Sequence, residues 1–211
     1  MKISKLKPID ESFFNAFFDI YENALPQREQ KSKKEIKEMC CSPEYSILLA
    51  MKDNIVIGFS IVFIPKDESF CLLEYMAIDK GYQNLGYGQV LFIQSYNHIS
   101  KKSHNIFLLI EIDSDREDSS DKVIRIKRQR FYRRLGCLRI CSLDYILALP
   151  GIGNPPQMDL LIYQPNNFKL LTKPELLNWL KIIYQKVYHC SSEDKRIYQM
   201  VEHVPDPVVL D

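Results

Sequence analysis

The sequence lacks the features of several common classes of protein. No uninterrupted apolar run approaches the ~18 residues needed to span a bilayer, and the lysine-containing start has no following apolar segment of the secretory type. Lys and Arg total 28 against 27 Asp and Glu, which leaves a net charge of +1. Such a balance gives no argument for a nucleic acid or an anionic membrane surface as partner. We therefore expect a cytoplasmic protein with neither of these partners.

Metal ligands at recognisable spacing are also missing. The six cysteines include no C-x-x-C pair, and the four histidines have no helical ligand spacing. We expect no bound metal, and thiols that are reduced and mostly structural.

Length and composition favour one compact domain with an appendage. The chain has 211 residues and is 46% hydrophobic, enough for a sizeable core. We predict a main domain over residues 1–170 and, over 171–211, an amphipathic helix followed by an irregular tail.

The most informative segment is 72–91, which has the pattern of a strand, a glycine-containing turn and the start of a helix. In the turn Gln83-Asn-Leu-Gly-Tyr-Gly88, two glycines allow a sharp bend and a close approach to a ligand. The apolar helical run that follows aims free amide N–H groups and a positive dipole end at the turn, which favours an anion such as pyrophosphate. The alternative is an ordinary loop closed by two glycines. The spacing is neither G-x-G-x-x-G nor G-x-x-x-x-G-K-[ST].

This turn, Q-x-x-G-x-G after a strand, resembles the acyl-CoA-binding motif of the GNAT superfamily of N-acyltransferases. A second motif of that family has a counterpart in Phe131-Tyr-Arg-Arg-Leu-Gly-Cys137. The resemblance covers roughly residues 1–165. It implies an α/β (α+β) fold: a mixed, mostly antiparallel seven-stranded sheet with helices on both faces, here with a C-terminal helical extension.

The resemblance also implies a reaction, the transfer of an acetyl group from acetyl-CoA to a primary amine of a small molecule, peptide or protein by direct attack in a ternary complex. Acetyl-CoA would enter between the fourth and fifth strands, where a family-typical splay would leave backbone groups for the pantetheine arm. The cofactor-binding residues implied are Met76, Ala77, Ile78, Gln83, Asn84, Leu85, Gly86, Tyr87, Gly88 and Gln89, and Arg128 is our first choice for a phosphate contact.

Three side chains are candidates for the chemistry. Tyr132 matches the tyrosine that protonates the departing thiolate in the family, and Glu111 and Glu74 match positions used for acidic residues there. A carboxylate in an apolar strand has a raised pKa, which suits a general base, and we favour Glu111 slightly. Each of the three has a structural alternative: a core tyrosine, or a carboxylate bonded to a neighbouring N–H or arginine.

The sequence departs from the family pattern near this helix. Many members have an asparagine seven residues before the tyrosine, whereas this chain has Arg125. A long acidic loop also follows Glu111, since 111–121 contains six acids and 122–134 seven basic residues. Either these charges are solvated surface, or the loop attracts a cationic acceptor. Both departures concern the helix whose cofactor contacts the resemblance implies.

Periodicity and turn signals predict the elements. The helix over 12–25 carries an aromatic face that includes Phe13, and the helix over 122–134 turns Ile124, Phe131 and Leu135 inward. A breaker-rich loop occupies 150–156. The remaining predictions are strands over 2–9, 45–51, 55–64, 70–78, 106–112, 138–149 and 158–163, and a lysine-rich helical segment over 27–39.

The final segment begins with a capping-box signature, Thr172-Lys-Pro-Glu175, and continues with apolar residues at helical spacing. Such a helix packs either on the body of the chain or on a second copy, so a homodimer is possible. Two prolines in 204–211 argue against regular structure there.

Two other functions remain open. A non-catalytic CoA-sensing or protein-interaction module would share the fold without turnover. Binding of nucleic acid by the basic helix is disfavoured by the neutral net charge.

Overall fold

The computed structural model describes residues 1–8, 10–101, 106–116, 118–148, 157–165 and 169–211. It contains two compact units, Met1–Ile106 and Phe107–Asp211. The loop predicted over 150–156 lies outside the described residues. The predicted domain boundary at residue 170 stays a prediction, because the compact units are defined by contacts and do not test where an independent domain ends.

The first unit has four strands in the order β1-β2-β3-β4, all antiparallel. Its elements are β1 (Lys2–Lys5), α1 (Glu11–Ala24), α2 (Lys33–Cys41), β2 (Tyr45–Lys52), β3 (Ile55–Phe63), β4 (Phe70–Ile78) and α3 (Tyr87–Ser100). The strands predicted over 45–51 and 55–64 pair as an antiparallel hairpin, and its turn places Asp53 and Asn54 at φ 49° and 63°, a conformation that short polar side chains tolerate. The first strand ends at Lys5, earlier than predicted.

The core of the first unit lies between α1, α2 and the sheet. Phe14, Phe17, Phe18 and Tyr21 of α1 are buried, and Phe17 packs on Phe59 of β3 with ring centroids 4.9 Å apart. The aromatic face is thus confirmed as core, except for Phe13, which is 38% exposed. The predicted helix over 27–39 is replaced by a 3₁₀ turn (Gln27–Glu29) and α2, which begins at a Ser32/Glu35 capping box.

The second unit has three strands in the order β5-β7-β6, with antiparallel pairing. Its elements are β5 (Phe107–Asp113), α4 (Lys122–Arg134), β6 (Leu138–Arg139), β7 (Met158–Tyr163), α5 (Lys173–Lys186) and α6 (Lys195–Val201). The strand predicted over 138–149 was wrong in extent. Its ladder ends after two residues, and isolated bridges at Ile140 and Tyr145 follow.

The inward face predicted for α4 was also wrong in part. Ile124 is 58% exposed, whereas Arg125, Gln129 and Tyr132 are buried. Polar groups occupy this face because they have partners there: the Gln129 amide donates to the buried Asp159 Oδ2 at 2.7 Å, and Arg125 donates to Asp121 at 2.9 Å and to the carbonyl of the buried Ser114 at 3.4 Å. Hydrophobic spacing alone does not identify such a face.

The C-terminal extension folds with the second unit. The predicted capping box at Thr172 and Glu175 is confirmed, and α5 buries Trp179 and Tyr184, with Trp179 packed 5.1 Å from the ring of Phe107. The apolar face of α5 is therefore covered by its own chain. Within the tail, Leu210 makes an isolated bridge to Ile140.

The fold class is the one that the resemblance implies. The described residues form a mixed, mostly antiparallel seven-stranded sheet and six α-helices.

Candidate functional site

The turn after β4 is held by local hydrogen bonds. The carboxylate of Asp79 accepts from the amide of Gly81 at 2.9 Å and begins a 3₁₀ turn over Lys80–Tyr82. The side-chain amide of Gln83 donates back to the carbonyl of Ile78 at 3.0 Å. The glutamine of the motif therefore closes the turn onto the end of its own strand.

The turn leads into an open helix N-terminus. Gly86 is the N-cap of α3 with φ +82°, and no side chain caps this end. The amides of Tyr87, Gly88 and Gln89 occupy the first turn, where N–H groups have no intrahelical acceptor. A methyl group built at Gly86 would meet no atom within 4 Å. The geometry fits an anion such as a diphosphate, because free amides and the helix dipole meet at a place that side chains leave open.

A cation lies beside this turn. Lys52, the last residue of β2, places its ammonium nitrogen 5.7 Å from the ring centroid of Tyr82 and 5.9 Å from that of Tyr87. No local sequence pattern predicts this contact, since Lys52 lies in the hairpin about thirty positions before the turn.

Glu74 occupies an irregularity in the sheet. In the register of β3 and β4, Leu73 lies opposite Val62 and Tyr75 opposite Ile61, so Glu74 has no counterpart. A bulge of this kind changes the direction of a side chain relative to the one that the regular pleat would give it.

The carboxylate of Glu74 is deeply buried and close to a lysine. Its side chain is 3% exposed, and Lys31 Nζ lies 3.6 Å from Oε2. Burial raises the pKa of Glu74, while the charge of Lys31 and a hydrogen bond from Tyr45 oppose the shift. No hydrogen-bond partner is found for Oε1 among the described residues.

Lys31 itself is held by the connection between α1 and α2. Its amide donates to the Tyr21 hydroxyl at 2.7 Å, and the Tyr75 hydroxyl donates to the carbonyl of Glu29 at 3.0 Å. Tyr75 follows Glu74 on β4, so both residues of the bulge contact this connection.

In the second unit, α4 carries Tyr132 and Arg128. Tyr132 is 6% exposed. Burial raises its pKa above the ordinary value, with Arg128 opposing and Cys137 adding to the shift. Arg128 donates to the carboxylate of Asp113 at 2.6 Å, and its side chain is 46% exposed. Arg125, in the place of the family's asparagine, is bound to Asp121 and to the carbonyl of Ser114.

Glu111 on β5 has hydroxyl donors on both oxygens. Tyr145 donates to Oε1 and Tyr188 donates to Oε2, the latter at 2.6 Å. Sequence reasoning missed both tyrosines, because they lie 34 and 77 positions after Glu111 and no local pattern marks them.

The predicted site residues are divided between the two compact units. Glu74 and the segments 76–78 and 83–89 lie in the first unit, and Glu111, Arg128 and Tyr132 lie in the second. Among the described residues, no three His, Cys, Asp or Glu side chains are placed to hold a metal ion. In the same part of the chain, no helix has the length and apolarity to cross a membrane.

Part of the sequence matches a known protein family. Residues 43–136 match the family model described as "Acetyltransferase (GNAT) domain". No protein of curated function matches the sequence.

Solved structures share the fold at low identity. A protein from Bacteroides thetaiotaomicron described as a GNAT-family acetyltransferase is 16% identical with a TM-score of 0.69, over 89% of this chain and 98% of that one. An aminoglycoside 6'-N-acetyltransferase complexed with coenzyme A is 17% identical with a TM-score of 0.58, over 79% and 100%. A ribosomal-protein-alanine N-acetyltransferase from Escherichia coli is 18% identical with a TM-score of 0.55, over 80% and 98%.

The matched segment 43–136 contains the glycine turn, both candidate glutamates and Tyr132. A little under half of the chain thus matches a GNAT acetyltransferase domain, and the chain shares its fold with acetyltransferases of solved structure.

Proposed function

We propose that this protein transfers the acetyl group of acetyl-CoA to a primary amine by direct attack in a ternary complex. The observation that carries the proposal is the open turn at Gly86, where uncapped amides of α3 meet a helix dipole inside the segment that matches the family model.

The turn 83–89 would hold the diphosphate of acetyl-CoA, and the backbone of Met76–Ile78 would accompany the pantetheine arm. Lys52 supports the first assignment, because a cation beside the turn adds attraction for an anion. Arg128 is the proposed second phosphate contact. Its ion pair with Asp113 leaves it half exposed, and a guanidinium has five donors, so one carboxylate does not exhaust it.

The reaction requires a neutral amine and a protonated leaving group. We assign Glu111 as the base that takes a proton from the amine nitrogen as the nitrogen bonds to the acetyl carbon. The carbon–sulfur bond then breaks, and the Tyr132 hydroxyl gives its proton to the thiolate. The products are the N-acetyl amine and CoA, and solvent restores the protons of both side chains. Each positioned proton transfer contributes about 10² to 10⁴ in rate.

Glu111 is preferred to Glu74 as base on accessibility and charge state. A base must touch the amine, and the side chain of Glu74 is 3% exposed, whereas Glu111 is only partly buried. The two hydroxyls that donate to Glu111 favour its ionised form, whereas burial favours the protonated form of Glu74. Glu74 remains the alternative base, since a raised pKa also suits proton abstraction.

The acceptor is the open part of the proposal. Relatives of the same fold are named for an aminoglycoside and for a ribosomal-protein alanine, so the fold does not select between small molecules and proteins. The six cysteines are all free, which fits the reducing cytoplasm that we propose as its location. The homodimer stays a prediction, which light scattering of the purified protein tests.

Titration calorimetry with acetyl-CoA, followed by a thiol-release assay on a panel of amines, tests the proposal. The panel needs an aminoglycoside, a polyamine and a peptide with an N-terminal alanine. We expect micromolar binding and amine-dependent release of CoA. Absence of binding would refute the proposal, and binding without thiol release on any amine would favour the CoA-sensing or protein-interaction module.

A further inference from the structure

The two tyrosines on Glu111 come from parts of the chain outside the segment that matches the family model. Tyr145 lies beyond β6 and is 2% exposed. Tyr188 follows Val187, the C-cap of α5. Both therefore lie after residue 136, where the family match ends.

The position of Tyr188 is fixed by the packing of the extension. Tyr184, one turn earlier on α5, is fully buried, and its hydroxyl donates to the carbonyl of Ile146 at 2.7 Å. The amide of Cys190 donates back to the carbonyl of Tyr184 at 2.8 Å. Tyr184 thus ties the end of α5 to the segment that carries Tyr145, and the two donors of Glu111 are held in one arrangement.

We infer that the C-terminal extension is part of the acid–base apparatus, with Tyr188 and Tyr145 as positioning residues that hold the Glu111 carboxylate ionised and oriented. The inference rests on the proposed function, in which Glu111 is the base. It gives the extension a role in catalysis besides its packing.

The Tyr145 hydroxyl is suited to this task because it stays a donor over the whole working pH range. Burial, reinforced by the charge of Glu111, raises the pKa of Tyr145 well above its ordinary value. A carboxylate offers about four lone-pair sites, so two tyrosine donors orient it without using its full capacity. Among the described residues, Tyr184 also faces this side, and Arg196, Asp194 and Cys190 act on it electrostatically; the Arg196 guanidinium lies 5.3 Å from the Tyr184 ring centroid.

Tyr188→Phe tests the inference, because it removes one donor and keeps the ring. We expect kcat/KM for a reactive amine to fall about 10-fold, the loss of one hydrogen bond to a charged group, with the affinity for acetyl-CoA unchanged. The acidic limb of the pH profile should move to higher pH, because the ionised carboxylate loses a donor. A purely structural role for Tyr188 would lower stability and leave this limb in place.

Tyr198→Phe is the matched control. Its hydroxyl also donates to a glutamate of the extension, Glu193, at the exposed surface. This variant should keep the wild-type rate and pH profile. In a Glu111→Gln background, Tyr188→Phe should cause no further loss of rate.

A second readout does not depend on turnover. Carboxyl-¹³C NMR, with Glu111 assigned by comparison with Glu111→Gln, should show a higher titration midpoint for Glu111 in Tyr188→Phe. An unchanged midpoint would overturn the inference, and so would a moved midpoint with an unchanged rate profile. If no amine is acetylated by the wild-type protein, the proposed function fails and the inference fails with it, whereas the NMR titration still shows whether Tyr188 controls Glu111.

Discussion

Lys31 Nζ lies 3.6 Å from Glu74 Oε2, and the side chains are 18% and 3% exposed. The lysine comes from the connection between α1 and α2, and the carboxylate from the bulge of β4. A connection that is otherwise tied by two tyrosine hydrogen bonds is thus also held by a charge pair. Removing Glu74 and removing Lys31 should therefore change stability in different ways, and the size of each effect should depend on pH and on whether the other partner is present.

Glu74→Gln should become more stable relative to wild type as the pH rises. Because burial raises the pKa of Glu74 in the folded state, the wild-type protein is stabilised by proton binding at low pH. It loses this contribution as the pH rises from the ordinary glutamate value of 4.5 through the raised value. Urea denaturation between pH 4 and 8 measures the difference.

The control for this titration is Glu38→Gln, which alters an exposed pair with Lys34 on α2. It should show no trend over the same range. A constant difference between Glu74→Gln and wild type at every pH would contradict the role assigned to burial.

Lys31→Met should destabilise the protein at neutral pH. It leaves a buried carboxylate without its cation, and such changes cost about 3–5 kcal/mol in fully buried pairs. We expect the lower end, about 3 kcal/mol, because Glu74 can bind a proton instead. The double variant Lys31→Met/Glu74→Gln should recover most of the loss. Additive losses in thermal denaturation would show that the pair is not coupled.

Gly86→Ala should weaken acetyl-CoA binding by more than it weakens the fold. The left-handed conformation costs alanine about 1–2 kcal/mol, and the new methyl group projects into space that is open in the structure. We expect at least a tenfold loss of affinity by calorimetry. Asp67→Ala provides the comparison, because Asp67 also has a positive φ, 60°, in the turn between β3 and β4. Equal affinity in the two variants would argue against ligand contact at Gly86.

The features that the sequence predicts are those set by residues close together along the chain, and the features that it misses depend on residues far apart. The strand, turn and helix around Gly86 depend on neighbours within a few residues, and their positions were confirmed. The contacts of Glu111 depend on tyrosines from two distant segments, and the short ladder of β6 leaves Tyr145 free of the strand that periodicity predicted. The polar face of α4 was missed for the same reason, since its partner Asp159 lies on β7.

Asp211→Asn should reduce stability by up to about 1 kcal/mol at neutral pH and by nothing in strong acid. Arg139 makes two hydrogen bonds with this carboxylate, at 3.1 and 2.6 Å, and holds its pKa below the ordinary 3.8. A lowered pKa contributes stability above 3.8 that is lost as the pH falls through the folded value. The expected size is small because the Asp211 side chain is 44% exposed. Thermal denaturation at pH 7 and at pH 2.5 measures the loss of stability under both conditions. A loss that persists at pH 2.5 would mean that packing, rather than the charge pair, accounts for the loss.

Tyr132→Phe should lower kcat by about 10² to 10⁴ with little change in the affinity for acetyl-CoA, because the hydroxyl acts on the leaving thiolate and the ring keeps its packing. Burial raises the pKa of Tyr132 above the ordinary 10, so the wild-type rate should show no alkaline limb from this group below pH 10.

Tyr163→Phe, which removes the hydroxyl of another buried tyrosine of the second unit, should keep kcat near wild type. An acetyl thioester donor with a much more acidic leaving thiol should rescue Tyr132→Phe in part, since such a thiolate departs without a proton. If both variants lose rate equally, or if the better leaving group gives no rescue, the hydroxyl of Tyr132 is not the acid.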